Sequence, residues 1–148
     1  MRRVCRAYAL PQAAEGCVDF EDLLELAVQM FEQNDEARET FRALYRAFTV
    51  DEYQDVNLLQ QTLLDLWLGD RDYLCVVGDD YQSIYSFTGA GPEHLLGVPE
   101  RFPQTLVVRL EENYRSTPQV LALANKPVPN LGGAEKTLRP APGTGGAH

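Results

Sequence analysis

Three short, almost unbroken apolar runs limit most what this chain can fold into: Phe48–Val50, Tyr73–Val77 and Thr105–Leu110. Each reads as a strand, and the stretches between them read as helix. Leu58, Leu59, Thr62, Leu63 and Leu66 recur at helical spacing between the first two, and a shorter helical piece is expected around Pro92–Leu96 between the second and third. Strands alternating with helices predict an α/β layer with a parallel sheet. The near-continuous run "YLCVV" agrees, because parallel strands are covered on both faces. Ahead of the first strand, Phe20, Leu23, Leu24, Ala27, Val28 and Phe31 fall on one helical face, with Asp19 and Asp22 placed as a capping box. A second helix is expected from Asp35 to Tyr45, burying Ala37, Phe41 and Leu44. After the third strand, "STPQVLALAN" places Ser116 or Thr117 at a helix N-cap with Pro118 in the first turn.

Both ends read differently. Residues 1–17 suggest the end of a helix followed by a loop. The tail from Lys126 is dense in Pro and Gly and buries too little to offset its ordering entropy, so it is expected to be largely disordered. The net charge of −9 argues against a free-standing nucleic-acid binder, whose affinity would rest on Lys and Arg at phosphates. Cys5, Cys17 and Cys75 are odd in number and widely spaced, which suggests reduced thiols in a cytoplasmic protein and neither a disulfide frame nor a zinc site. Arg6 interrupts the apolar start, which disfavours a signal peptide, and no stretch approaches the roughly 20 apolar residues of a membrane span.

Two of the strands end in acids: Asp51-Glu52 after the first, Asp79-Asp80 after Gly78 at the end of the second. Ligands of open α/β sheets bind outside the carboxyl ends of the strands. If the two strands are neighbours, four carboxylates crowd one edge, and a divalent cation such as Mg²⁺ would relieve the repulsion. A second acid could then orient or deprotonate a water. Equally, an acid pair after a strand can cap a helix N-terminus. "GDDYQSIYSFTGA" continues as a polar and aromatic loop in which Gln82 and Ser83 offer hydrogen bonds. Tyr85 and Phe87 there could stack on a base or lie in the core. In "RLEENYRSTP", Tyr114 offers a ring face and Arg115 a phosphate-binding fork, or else a packed ring and a surface ion pair.

In order and spacing, "VDEYQD", "VVGDDYQSIYSFTGA" and "LEENYRST" together resemble the second, third and fourth helicase motifs of the UvrD/Rep/PcrA family, ATP-driven 3′-to-5′ DNA helicases. "DFEDLL" resembles the return from that family's inserted helical subdomain, and "KTLRPAPGTG" the stretch after the fourth motif. The resemblance implies a partial RecA-like, P-loop NTPase-type sheet with flanking helices. Residues 1–17 would end the inserted subdomain, 18–112 form the back half of the first motor lobe, 113–126 begin the second lobe and 127–148 form a flexible tail. It implies that Asp51 holds Mg²⁺ and that Glu52, beside the same metal, activates water. Gln82 would sense the γ-phosphate of ATP, Tyr114 stack on adenine and Arg115 act as an arginine finger. Tyr85 and Phe87 would face single-stranded DNA. Thr88 stands where the family usually carries Arg before Gly-Ala.

The family's phosphate cradle, GxxxxGK[S/T], does not occur in this sequence, whose only lysines are Lys126 and Lys136. The expectation is therefore a helicase segment that carries hydrolysis residues for Mg²⁺ and ATP but is inactive alone and binds DNA weakly. Two alternatives stand beside it. One is a remnant that keeps the fold and only binds a partner. The other is a metal-dependent nucleotidyl transferase, whose "GDD" would sit in a hairpin turn between antiparallel strands.

Overall fold

A computed structural model of the chain describes residues 18–84, 89–127, 133–134 and 136–142. Helix α1 (Phe20–Gln33) starts at Asp19, whose carboxylate accepts the Asp22 N–H while Asp22 accepts the Asp19 N–H, closing the expected capping box. Asn34 ends α1 and caps α2 (Asp35–Leu44) by accepting the Ala37 N–H. Strand β1 (Phe48–Val50) leads through a 3₁₀ turn (Tyr53–Asp55) to α3 (Leu58–Leu68), which opens with a second capping box made by Asn57 and Gln60. Strand β2 (Leu74–Val76) comes next, then a 3₁₀ turn (Asp80–Gln82) and two short helices, α4 (Glu93–Leu96) and α5 (Val98–Arg101). Strand β3 (Glu112–Asn113), α6 (Pro118–Ala124) and β4 (Arg139–Pro140) complete the described elements.

The first two strands pair as the alternation predicts. β1 and β2 are parallel, with Phe48 opposite Leu74, Thr49 opposite Cys75 and Val50 opposite Val76. Period two then sends alternate residues to opposite faces. Phe48, Val50, Leu74 and Val76 pack toward Tyr53, Leu64, Val98, Leu95 and Phe102, so both helical connections cover the same face. Beyond α3, Val28, Phe31 and Leu63 form a second buried cluster that holds α1 and α2 in place. Each such side chain, once fully buried, stabilises by about 1.5–3 kcal/mol. Phe41 and Trp67 stack at 5.0 Å between centroids, and Phe48 stacks on Trp67 at 6.0 Å, joining the two clusters through aromatic rings. Arg71 fastens the layer by donating to the carbonyls of Arg42, Tyr45, Trp67 and Leu68.

Three expectations are corrected. Thr105–Leu110 does not form a strand: the segment has no strand partner among the described residues, and Leu106 and Leu110 are 85% and 84% exposed. Its apolar pattern is that of a sheet interior, but a strand exists only when a neighbour takes its N–H and C=O groups. On the helices, Phe20, Leu23 and Leu44 lie exposed at the outer ends of their apolar faces, beyond the reach of the clusters. In the tail, residues 136–142 are held. β4 pairs in parallel with β3, the Arg139 N–H donates to Glu111, and Asn125 exchanges hydrogen bonds with the Leu138 backbone. Backbone pairing compensates there for what burial alone cannot supply. No helix among the described residues is long and apolar enough to cross a membrane.

Candidate functional site

Because β1 and β2 are adjacent and parallel, Asp51-Glu52 and Asp79-Asp80 leave the same end of the sheet. The chain turns sharply after β1. Glu52 has φ 51° and ψ 39°, the one non-glycine residue with positive φ among those described. The left-handed conformation costs a side-chain-bearing residue roughly 1–2 kcal/mol. Asp51 supports it by accepting the Glu52 N–H at 2.9 Å. The Tyr53 N–H donates to the Val77 carbonyl at 2.9 Å and so anchors the start of the 3₁₀ turn to the end of β2.

Gln54 joins the two strand ends. It is 1% exposed, its amide donates to the Glu52 carboxylate at 2.7 Å, and its carbonyl accepts the Asp79 N–H at 2.9 Å. Gly78 makes room for this: a Cβ there would lie 2.6 Å from Gln54 Oε1 and 3.2 Å from the Gln54 nitrogen. Gln82 in turn donates to the second Asp79 oxygen at 2.8 Å. A continuous line of hydrogen bonds thus runs Glu52–Gln54–Asp79–Gln82, and Ser83 donates to the Gln54 backbone carbonyl at 3.3 Å. Beneath it, Tyr53 donates to Gln61, Gln61 to Asp65, and Asp65 pairs with Arg101 at 2.8 Å. Burial raises the Tyr53 hydroxyl above its ordinary pKa.

Each of the four carboxylates is engaged locally. Lys136 forms an ion pair with Asp79 and sits 4.4 Å from the centroid of the Tyr81 ring. Burial pushes the Asp79 carboxyl up, but hydrogen bonds from Lys136, Gln82 and the Tyr81 N–H outweigh it and hold the group below its ordinary value. Asp80 accepts the Ala134 N–H at 2.7 Å, and Tyr81 donates to the Ala134 carbonyl at 3.1 Å. Gly133, at φ 90°, lies so close to Asp80 that a side chain would collide with it.

Among the described residues no group of three or more His, Cys, Asp or Glu side chains comes together around a point where a metal ion would sit. Mg²⁺ does not require one. It takes one or two hard carboxylate oxygens and completes its shell with water and substrate phosphates. Asp51 and Glu52, exposed at the sheet edge, offer carboxylate oxygens of that hard kind.

Tyr114 and Arg115 stand elsewhere, just after β3 in the second small sheet. Asn113 accepts the N–H groups of Arg115 and Ser116, fixing the turn before α6. The Tyr114 ring is 72% exposed, its hydroxyl donates to Glu112 at 2.7 Å, and this acceptor raises its pKa. Arg115 is exposed and makes no ion pair among the described residues. Tyr85, Phe87 and Thr88 lie outside the described residues. Sequence reasoning missed Gln54 and Lys136. Gln54 carried a signal, two residues beyond Glu52 in "DEYQD"; Lys136, more than 50 positions from its partner, carried none.

The UvrD/REP helicase N-terminal domain matches residues 1–103. The chain belongs to this helicase family. It is similar to ATP-dependent DNA helicase UvrD2 of Mycobacterium tuberculosis, at 57% identity over 109 residues, covering 74% of the chain and 16% of that relative. It is 44% identical over 108 residues to ATP-dependent DNA helicase Rep of Escherichia coli (73% of the chain, 16% of the relative). With ATP-dependent DNA helicase PcrA of Staphylococcus aureus it shares 39% identity over 127 residues (86% and 17%). The chain thus spans about one sixth of the length of the curated relatives it matches.

Proposed function

We propose that this chain is part of the ATP-hydrolysing motor of a DNA helicase, with residues 18–112 the back half of a RecA-like first lobe and 113–126 the start of a second. The observation that carries the reading is the hydrogen-bonded line Glu52–Gln54–Asp79–Gln82 across the ends of two adjacent parallel strands. That parallel pairing also favours it over the nucleotidyl transferase alternative, whose "GDD" sits between antiparallel strands.

In this reading Asp51 and Glu52 would hold Mg²⁺, which when bound supplies charge stabilisation to the phosphates. Glu52 orients and deprotonates the attacking water, its carboxylate aimed by the Gln54 amide. Gln82, held by Asp79, reports the γ-phosphate back through Gln54. Tyr114 presents its open ring to adenine and Arg115 its exposed guanidinium to the γ-phosphate, from the second lobe. Tyr85 and Phe87 contact single-stranded DNA. With no GxxxxGK[S/T] in its sequence, the chain alone leaves the β- and γ-phosphates unheld, and its net charge of −9 repels both nucleotide and DNA.

The test has two arms. The chain alone should release no phosphate from Mg²⁺-ATP, with or without single-stranded DNA. Put in place of the 109 matched residues of M. tuberculosis UvrD2, the corresponding stretch of this chain should support DNA-stimulated ATPase that Glu52→Gln abolishes. A folded chimera whose turnover survives Glu52→Gln would refute the assignment.

A further inference from the structure

Asp79, Asp80 and Tyr81, three consecutive residues beyond the end of β2, all bind the same returning stretch of chain. Asp80 accepts the Ala134 N–H, Tyr81 donates to the Ala134 carbonyl and sets its ring beside the Lys136 ammonium, and Asp79 pairs with that ammonium. Lys136 is the only cation that pairs with any of the four strand-end acids among the described residues. It lies just ahead of β4, which is paired with β3, the strand that precedes Tyr114 and Arg115.

The two oxygens of Asp79 have different partners. Oδ1 takes the Lys136 ammonium and the Tyr81 N–H, while Oδ2 takes the Gln82 amide at 2.8 Å. That last bond is the only one the Gln82 side chain makes among the described residues, and Gln82 is otherwise exposed. The carboxylate that holds it is itself costly to keep in place. Asp79 is two-thirds buried, with Asp80 adjacent, in a chain of net charge −9. A half-buried carboxylate with no cation turns toward water, because burial penalises its charge. Turning takes Oδ2 away from Gln82.

We propose that Lys136 is a positioning residue for Gln82: its ammonium fixes the Asp79 carboxylate, and the fixed carboxylate aims the Gln82 amide. A displacement of the β3–β4 piece is thereby felt at the end of β2, through one ion pair and one hydrogen bond. What Gln82 does with its orientation rests on the motor reading; the coupling itself does not.

The test uses the full chain labelled with ¹⁵N and follows the side-chain amide of Gln82 by NMR. In Lys136→Met, exchange of that amide with water should accelerate about tenfold, the order expected when a hydrogen bond to a charged group is lost. Lys136→Arg, which keeps the cation, should restore most of the protection. Arg139→Met removes the same charge three residues away, from a side chain 72% exposed and paired with Glu111, and should leave Gln82 unchanged. In an Asp79→Asn background, Lys136→Met should add nothing further, since the route runs through the carboxylate. An unchanged Gln82 amide in Lys136→Met would overturn the proposal. So would an equal effect from Arg139→Met, or one that persists in Asp79→Asn, because the tail would then act by general loosening or net charge. No nucleotide enters this experiment, so its failure leaves the motor assignment standing, and failure of the chimera's ATPase leaves the coupling standing.

Discussion

Replacing Gln54 with Met keeps the side chain's bulk and removes its polar bonds, of which those to Glu52 and Asp79 are the close ones. The structure sets the expected cost. The bond to Glu52 is charge-assisted, but Glu52 is solvent-exposed and recovers water when Gln54 is gone, so its loss costs about 1 kcal/mol. The Asp79 N–H is worse placed. It loses its acceptor against a buried neighbour, at a cost of about 1–3 kcal/mol. Volume is nearly conserved, so repacking adds less than about 1.5 kcal/mol. The expected sum is about 2–5 kcal/mol. With a urea m-value of about 2 kcal/mol/M, the middle of the range for small domains, the unfolding midpoint should fall by about 1–2.5 M with m unchanged. Hydrogen exchange at the Asp79 amide should accelerate more than exchange in α1, which does not touch Gln54. A Gln54→Met midpoint within about 0.3 M of the parent would refute the idea that Gln54 ties the two strand ends together.

The same edge carries two further expected outcomes. At Glu52, where φ is 51°, Glu52→Gly should be more stable than Glu52→Ala by about 1 kcal/mol in urea unfolding, the reverse of their order at ordinary positions, since both lose the Gln54 contact and only Ala keeps the strained backbone. Asp79 is held below the ordinary carboxylate pKa, so it contributes stability that is present above its unfolded value and lost as pH falls through its folded one. In Lys136→Met, burial of Asp79 loses its largest opposing influence, and the acid limb of a stability-against-pH curve should move to higher pH while the neutral-pH midpoint falls.

What the sequence made legible, and what it hid, divides along physical lines. The Asp19–Asp22 capping box, the α/β alternation and the acids at two strand ends are local patterns, and each appears in the structure where its residues predict it. Lys136 and Asp79 meet only because β4 returns to β3, a pairing of two residues in each strand that no periodicity announces. The aromatic pair Tyr85 and Phe87 lies outside the described residues, and the roles of Tyr114 and Arg115 rest on resemblance, since their surroundings show exposure and nothing that grips a nucleotide.

Thr105–Leu110 is the instructive case. Its pattern is that of an interior parallel strand, yet the structure leaves it bare. Both statements hold, because a strand's sequence encodes its neighbours as much as itself. Leu106, Val107, Val108 and Leu110 turn apolar groups to both sides of the backbone, which costs solubility unless both faces are covered. An edge strand in a finished protein would carry charge or Pro to keep other chains away. This one carries a single Arg109 in the run. The segment therefore carries the pattern of an interior strand without, among the described residues, the neighbours that would make it one.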